Sequence, residues 1–412
     1  MSSGRPLRFC MITTFYPPYN FGGDGVFVKR LANELAKRGH QVQVIHSVEA
    51  YRSGGGRMPT TTYDDHLNVA VHGLDSPFGF VSSLVTQQTG VPFFHSAAIQ
   101  EILGQGFDVI HFHNVSLVGG PGILGYGHGI KLYTTHEYWL VCPTHVLFRY
   151  GRAPCVKPHC LLCSLTYHRP PQWWRYTGFL KTALKHVDRI IAPPHFAKDI
   201  QMQMGLPGPI EYLPNFAPTV DLANSGSPAD AAKANPYFLF VGRLEKIKGI
   251  QTLIPVFQNY KANLLIAGTG SFEPQLRKMA EGNPRIVFLG PIDQVRLQSL
   301  YRRAIAVLVP SICYEAFPLV MLEAYRQQTP TIARNLGGMP EVTKESGGGL
   351  CYDTENDLVG AMDRLASEPS IRNELGLRGF QAFQLKWTAE AHLERYIGLI
   401  HEIAVERGLE LS

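Results

Sequence analysis

The chain has 412 residues, 45% of them hydrophobic and 17% charged, which is enough apolar material for a large core and too little charge for a disordered chain. At about 100–200 residues per domain, two or three domains are expected. The net charge of +5 suits an anionic ligand or an anionic membrane surface and is too weak to imply nucleic acid.

Leu7 to Thr14 reads as a short strand that meets Tyr16-Pro17-Pro18. The Gly-rich turn Phe21-Gly22-Gly23-Asp24-Gly25 follows, then Val26, Phe27, Leu31 and Leu35 recur at helical spacing until Gly39. Gln41 to Ser47 alternates as a strand does. Further strands are expected at Asn68 to Val71, Phe107 to Phe112, Ile130 to Thr134, Asp188 to Ala192 and Ile210 to Leu213. Residues 217–236 are poor in large apolar groups and rich in Ala, Ser, Asn and Pro, the composition of a linker. A second alternating series follows, with strands at Tyr237 to Val241, Asn263 to Ala267, Arg285 to Leu289, Ile305 to Val309, Thr331 to Ala333 and Gly349 to Tyr352. Asp293 is placed to cap a helix reaching Arg303. Thr388 to Arg407 is amphipathic, with Leu393, Ile397, Ile400 and Ile403 on one face.

Strands alternating with helices predict parallel sheets covered on both faces. The expected architecture is α/β: a domain over 1–216, a linker over 217–236, a second domain over 237–387, and a helix over 388–412 packing back towards the first domain. Two doubly wound units in tandem predict a cleft between them, with ligands at the carboxyl ends of the strands.

Two constellations carry chemistry. Glu315 and Glu323 stand eight positions apart, Glu315 in a loop after a strand and Glu323 on the following helix, whose first turn suits Pro318. The backbone N–H groups of Phe317, Leu319 and their neighbours lie at a helix start, a natural phosphate site. Gly242-Arg243 and Lys248-Gly249 likewise follow a strand, and two cations there can grip a diphosphate and stabilise the charge it gains on leaving.

With Pro340-Glu341-Val342 and the early Gly22-Gly23, these motifs resemble glycosyltransferase family 4, retaining enzymes of the GT-B fold with two Rossmann-like domains facing across a cleft. The resemblance implies transfer of a sugar from a nucleotide diphosphate donor, UDP- or GDP-linked, to a glycan or lipid-linked acceptor with the anomeric configuration kept. It implies that Glu315 holds donor-sugar hydroxyls, that Glu323 binds the ribose, and that Arg243 and Lys248 clamp the diphosphate. Amides at Phe317, Leu319 and Val320 add donors around Pro318, which has none. Gly22 and Gly23 let the first-domain backbone approach the same diphosphate. His136, in Thr-Thr-His136-Glu137, resembles the family's cleft histidine near the reacting sugar, with Glu137 where relatives often have Asp; His113 lines the same cleft. The segment Arg285 to Gly290, with Phe288 and Leu289, resembles the cradle of the nucleobase. No cofactor is implied for catalysis, because cations and helix-start amides stand where a divalent ion would. Rival readings are a nucleotide-sugar 2-epimerase of the same architecture and a non-catalytic sugar- or nucleic-acid-binding module.

Two features lie outside that set. Cys142, Cys155, Cys160 and Cys163 fall within a loop-like segment, the last two as Cys-x2-Cys. Four thiols at this spacing suit a structural zinc site, with His145 and His159 as alternative ligands; an iron–sulfur cluster also takes four thiolates. The stretch His168 to Lys185 mixes Trp173, Trp174 and Tyr176 with basic groups. It reads either as an amphipathic segment packed on the first domain or as a lipid-headgroup contact. The apolar runs are too short to span a bilayer, and Leu7 to Phe15 lacks the form of a secretory signal. A cytoplasmic location is therefore expected, with the inner face of the membrane as the alternative.

Overall fold

The computed structural model describes residues 5–56, 58–59, 64–219 and 236–411. Most of the expected linker, residues 220–235, lies outside the described residues. The chain forms two compact units, one from Met1–Asn215 with His392–Ser412 and the other from Phe216–Ala391.

In the first unit the strands are β1 (Arg8–Ile12), β2 (Gln41–Ser47), β3 (Val69–Leu74), β4 (Val109–Phe112), β5 (Ile130–Thr134), a short antiparallel pair β6 (Phe148–Arg149) and β7 (Ala153–Pro154), β8 (Arg189–Ala192) and β9 (Ile210–Tyr212). All but β6 and β7 form one parallel sheet in the order β3-β2-β1-β4-β5-β8-β9. Its central strands are sealed on both faces: Phe9, Cys10, Met11 and Ile12 of β1 are fully buried, which explains their unbroken apolar run. The helix Gly23–Lys37 buries Phe27, Val28, Leu31 and Leu35 at the spacing of one helical face.

The second unit contains β10 (Tyr237–Val241), β11 (Asn263–Ala267), β12 (Ile286–Gly290), β13 (Val307–Val309), β14 (Thr331–Arg334) and β15 (Gly349–Tyr352), in the order β12-β11-β10-β13-β14-β15. The period of two along β10 divides its core. Phe238 and Phe240 join Leu264, Ile266 and Leu308 on one face, while Tyr237 and Leu239 join Val307, Met321 and Trp387 on the other. Each such side chain contributes roughly 1.5–3 kcal/mol on burial.

Asp293 caps the helix Gln294–Arg303, its carboxylate accepting from the Arg296 amide at 2.9 Å. The helix Ala389–Glu406 buries Leu393, Ile400 and Ile403, with His392 and Tyr396 beside them, while Ile397 is partly exposed. From His392 onwards this helix belongs to the first unit. Strand ends differ from the sequence reading by one to three residues, as at β3, where pairing with β2 carries the strand to Leu74. Among the described residues no helix is long and apolar enough to cross a membrane.

Candidate active site

In the second sheet the strand order reverses between β10 and β13, so the loops leaving their carboxyl ends part and open a crevice. The loop after β10 carries Arg243 and Lys248, and the loop after β13 carries Ser311 and Glu315. They are locked together by backbone. The Ile312 amide donates to the Ile247 carbonyl at 2.9 Å. Gly249 has φ +77°, and a Cβ there would stand 1.9 Å from the Pro310 carbonyl oxygen. Only glycine fits so close an approach. The loop after β14 joins them through the Gly338 amide, 3.3 Å from the Glu315 carbonyl.

At the meeting point Lys248 Nζ donates to Glu315 Oε1 at 2.7 Å, and Ser311 Oγ donates to the same oxygen at 2.5 Å. Burial works against both charges. It pushes the Glu315 carboxyl up, yet the Lys248 charge and the two hydrogen bonds outweigh it and leave the carboxyl below its ordinary range. Burial pushes the Lys248 ammonium down, and the charge of Glu315 reverses that, so its pKa is raised. Arg243 is about half exposed, bonds to Glu245 at 2.8 Å, and its charge also reaches Lys248 and Glu315. The sequence reading gave Lys248 and Glu315 to different parts of a ligand; here they hold one another.

Pro318 is the N-cap of the helix Leu319–Arg326 rather than part of its first turn. The amides of Leu319 and Val320 open the helix, where no preceding turn supplies acceptors. Phe317 is partly exposed just before it. Glu323, in the middle of the helix, accepts from the Tyr301 hydroxyl at 3.1 Å. Phe288 and Leu289 lie on the edge strand β12, with the Arg277 guanidinium 4.5 Å from the Phe288 ring centroid. Pairing passes from Phe288 to Gly290, so Leu289 falls at the irregularity.

The first sheet reverses its order between β1 and β4. There Thr14 N donates to Asn114 O at 2.5 Å, and Asn114 Nδ2 donates to Asp24 at 3.3 Å. Gly22 is the N-cap of the helix Gly23–Lys37 with φ −152° and ψ −174°. That is extended backbone open to any residue. Gly25 is the confined one, because a Cβ would meet Asn20 Oδ1 at 2.4 Å and the Phe15 carbonyl at 2.6 Å.

His136 follows β5, and its Nε2 stands 2.9 Å from Nδ1 of His113, which follows β4. Such a bond needs one N–H and one bare nitrogen, so the two rings cannot both be cations and keep it. Phe27 stands over His136 with centroids 4.9 Å apart. Burial pulls the His136 pKa down to about 4, and that of His392 to about 4 as well. His113 is fully buried and lies well below its usual value for the same reason, with the charges of His111, His136 and His392 adding to it. Behind them His111 bonds to the Tyr396 hydroxyl at 2.9 Å and to Thr134 Oγ1 at 2.8 Å. Glu137 is bound to His145 Nδ1 at 2.8 Å.

Residues 21–220 match the family described as Glycosyltransferase Family 4, and residues 227–381 match Glycosyl transferases group 1. A protein of Methanocaldococcus jannaschii described as an uncharacterized glycosyltransferase is 34% identical over 385 residues, covering 89% of this chain and 90% of that one. The chain belongs to glycosyltransferase family 4. Solved structures give the fold. Sucrose-phosphate synthase from Thermosynechococcus elongatus superposes with a TM-score of 0.75 at 20% identity, over 97% of this chain and all of that one. Anabaena Alr3699/HepE in complex with UDP superposes with a TM-score of 0.63 at 15% identity, over 96% of this chain and all of that one. The GT-B fold and a retaining glycosyltransferase activity on nucleotide sugars follow from this membership.

In this glycosyltransferase the second unit therefore gathers Arg243, Lys248, Glu315 and the start of the helix that bears Glu323, and in the first unit His136 packs on Phe27 of the helix that begins at Gly23. The sequence reading missed Ser311, although it directly follows the proline that ends a strand. It also missed Tyr301 and the pair His392 and Tyr396, whose four-residue spacing puts them on one helical face. Trp173 and Trp174 separate: Trp173 is 61% exposed, while Trp174 is buried with its Nε1 donating to the Gln87 carbonyl at 2.9 Å.

Proposed function

We propose that the second unit grips a nucleoside diphosphate sugar through Lys248, Arg243 and the amides of Phe317, Leu319 and Val320, with Pro318 setting the helix start. The supporting observation is the Lys248–Glu315 pair, ionised and preorganised at the crevice where the strand order reverses. In this reading Lys248 and Arg243 neutralise the departing diphosphate, and Glu315 accepts hydrogen bonds from sugar hydroxyls. Glu323 takes the ribose hydroxyls, and Phe288 with Leu289 flanks the base. In the first unit, the helix start at Gly22 and Gly23 and the uncharged His136 are assigned to the donor.

The acceptor oxygen bonds to the anomeric carbon on the face from which the diphosphate leaves. The C–O bond to phosphate breaks, and a diphosphate oxygen receives the acceptor's proton. Fixed cations and amides supply orientation and charge stabilisation without reorganising.

The acceptor in this reading is a glycan or a lipid-linked sugar, as in polysaccharide or glycoconjugate synthesis. Exposed Trp173 and Tyr176, whose rings pack on one another, together with exposed Leu162, Leu165, Arg169 and Lys181 a few residues away along the chain, support approach to an anionic lipid surface. Cosedimentation with anionic vesicles should fall in Trp173→Ala.

The test is donor turnover. A thermal-shift panel of UDP-, GDP- and ADP-sugars selects the donor, since a ligand bound only by the folded state raises its stability. Release of nucleoside diphosphate is then followed with and without acceptor. Lys248→Ala and Glu315→Ala should each lower turnover by about 10²–10³-fold, the loss typical of one preorganised charge stabiliser. Unchanged turnover in both folded variants would overturn the assignment.

A further inference from the structure

Between β5 and β8 the chain leaves the first sheet, and this excursion holds a cluster that the transfer reaction does not use. Cys142, Cys155, Cys160 and Cys163 line one small cavity of about 20 Å³. All four are unbridged, three are buried, and Cys160 is partly buried. They come from three pieces of backbone. Cys142 ends a turn whose amide donates to the Tyr138 carbonyl at 2.8 Å. Cys155 directly follows the hairpin β6–β7, and Cys160 and Cys163 share the helix Cys160–Thr166. We propose that these four cysteines form a mononuclear zinc site that holds this excursion together.

The observations are of four kinds. The donor set is all sulfur, the combination that selects zinc or iron–sulfur among common metals. The cavity has room for about one water-sized body, which fits one ion and is too small for a cluster of several irons and sulfides. The backbone is shaped for a staple: His145, Leu147, Tyr150 and His168, four of the five non-glycine residues with positive φ among the described residues, fall here. Left-handed backbone at such residues persists only where surrounding structure enforces it. Leu147 and Phe148 are packed in the core, but Val156, Leu161, Leu162 and Leu165, on the segments that bear Cys155, Cys160 and Cys163, are exposed and lend little apolar packing there. Finally, a hydrogen-bond donor reaches one of the sulfurs and the charge of a guanidinium reaches two others. The Tyr150 amide points at Cys163 Sγ at 3.4 Å. Arg175 donates to the carbonyls of Trp139 and Leu140 and to Gln172, all uncharged, and its charge reaches Cys142 and Cys160.

No three of these sulfurs lie within 4.8 Å of one another among the described residues. A zinc ion with Zn–S distances of about 2.3 Å draws them in by turning Cys142 away from Thr144 Oγ1, 3.2 Å distant, and Cys155 away from the Lys157 carbonyl, 3.6 Å distant. The site bears on His136 through backbone: Tyr138 N donates to His145 O at 3.0 Å, next to the Glu137–His145 pair. The zinc would thus set the course of the loop directly after His136.

The experiment uses the untagged full chain purified under reducing conditions, with metals measured by mass spectrometry. One zinc per chain is expected. Cys155→Ser and Cys163→Ser should each fall below a tenth of that, while Cys351→Ser, at an exposed cysteine outside the cluster, keeps it. Should the cluster variants fail to fold, a mercurial titration of wild-type protein replaces them and should release one zinc. Cobalt added to the stripped protein should give a thiolate-to-metal charge-transfer band. Iron in place of zinc, two disulfides by mass spectrometry, full zinc in both folded variants, or a folded metal-free protein that takes up neither zinc nor cobalt would each overturn the proposal.

Discussion

The two units bury polar clusters that answer burial in opposite ways. In the second unit Lys248 and Glu315 are drawn further into their charged forms, because each meets an opposite charge at 2.7 Å. In the first unit His111, His113, His136 and His392 are driven towards neutrality, because burial dominates and no carboxylate is strong enough to reverse it: Glu137 only partly offsets it at His136, and Arg395 adds to it at His392. Desolvation is the first cause in both places, and the partner decides the sign. One cluster can therefore meet a diphosphate with fixed charge, and the other can offer an uncharged ring that donates or accepts one hydrogen bond.

The comparison breaks most visibly if one ion-pair partner is removed. Lys248→Met leaves a mostly buried carboxylate without its closest cation and should cost about 1–3 kcal/mol in urea denaturation, less than the penalty for a fully buried pair. The double change Lys248→Met with Glu315→Gln should recover most of that stability while turnover stays lost. A double variant as unstable as the single one would mean that the two side chains are not energetically joined.

Acid should separate the clusters. A histidine with its pKa lowered to about 4 binds fewer protons in the folded state than at the unfolded value of about 6.5. Its contribution is present above about 6.5 and is lost as the pH falls through about 4. The contribution of Glu315, also lowered in the fold, is present above the unfolded glutamate value of about 4.3 and goes at lower pH. Urea midpoints of wild-type protein should thus decline from about pH 6.5 downwards, and His392→Asn should flatten the decline. An equally steep slope in that variant would place the proton uptake elsewhere.

The smallest effect tests the rim of the site. Tyr301→Phe removes the hydroxyl on Glu323, a single bond of about 1 kcal/mol. It should raise KM for the donor a few-fold and leave kcat unchanged. A fall in kcat alone would assign Glu323 to the reacting end of the sugar rather than to the ribose.

Much of this was legible along the chain. The order of strands and helices could be read because parallel strands buried on both faces leave apolar runs, as in Phe9–Ile12 of β1 and in β13, and because Lys248 and Glu315 sit in the loops that follow such runs. What could not be read was closure in space. Lys248 and Glu315 are 67 residues apart and His111 and Tyr396 are 285 apart; which of them touch depends on strand order, and strand order leaves no local mark. Gly22 and Gly25 differ for a related reason. A glycine repeat signals a turn, but which glycine is confined depends on where Asn20 and the Phe15 carbonyl fold over it.

The helix Ala389–Glu406 carries a consequence for how the molecule is made. Tyr396 supplies the hydroxyl on His111, and His392 Nδ1 donates to the Pro214 carbonyl, only after this helix has been synthesised. The first unit is thus begun before the second on the ribosome and finished after it. It must wait, with its histidine-lined interior open, through translation of the whole second unit, and any fragment that stops short of this helix would release that interior to water.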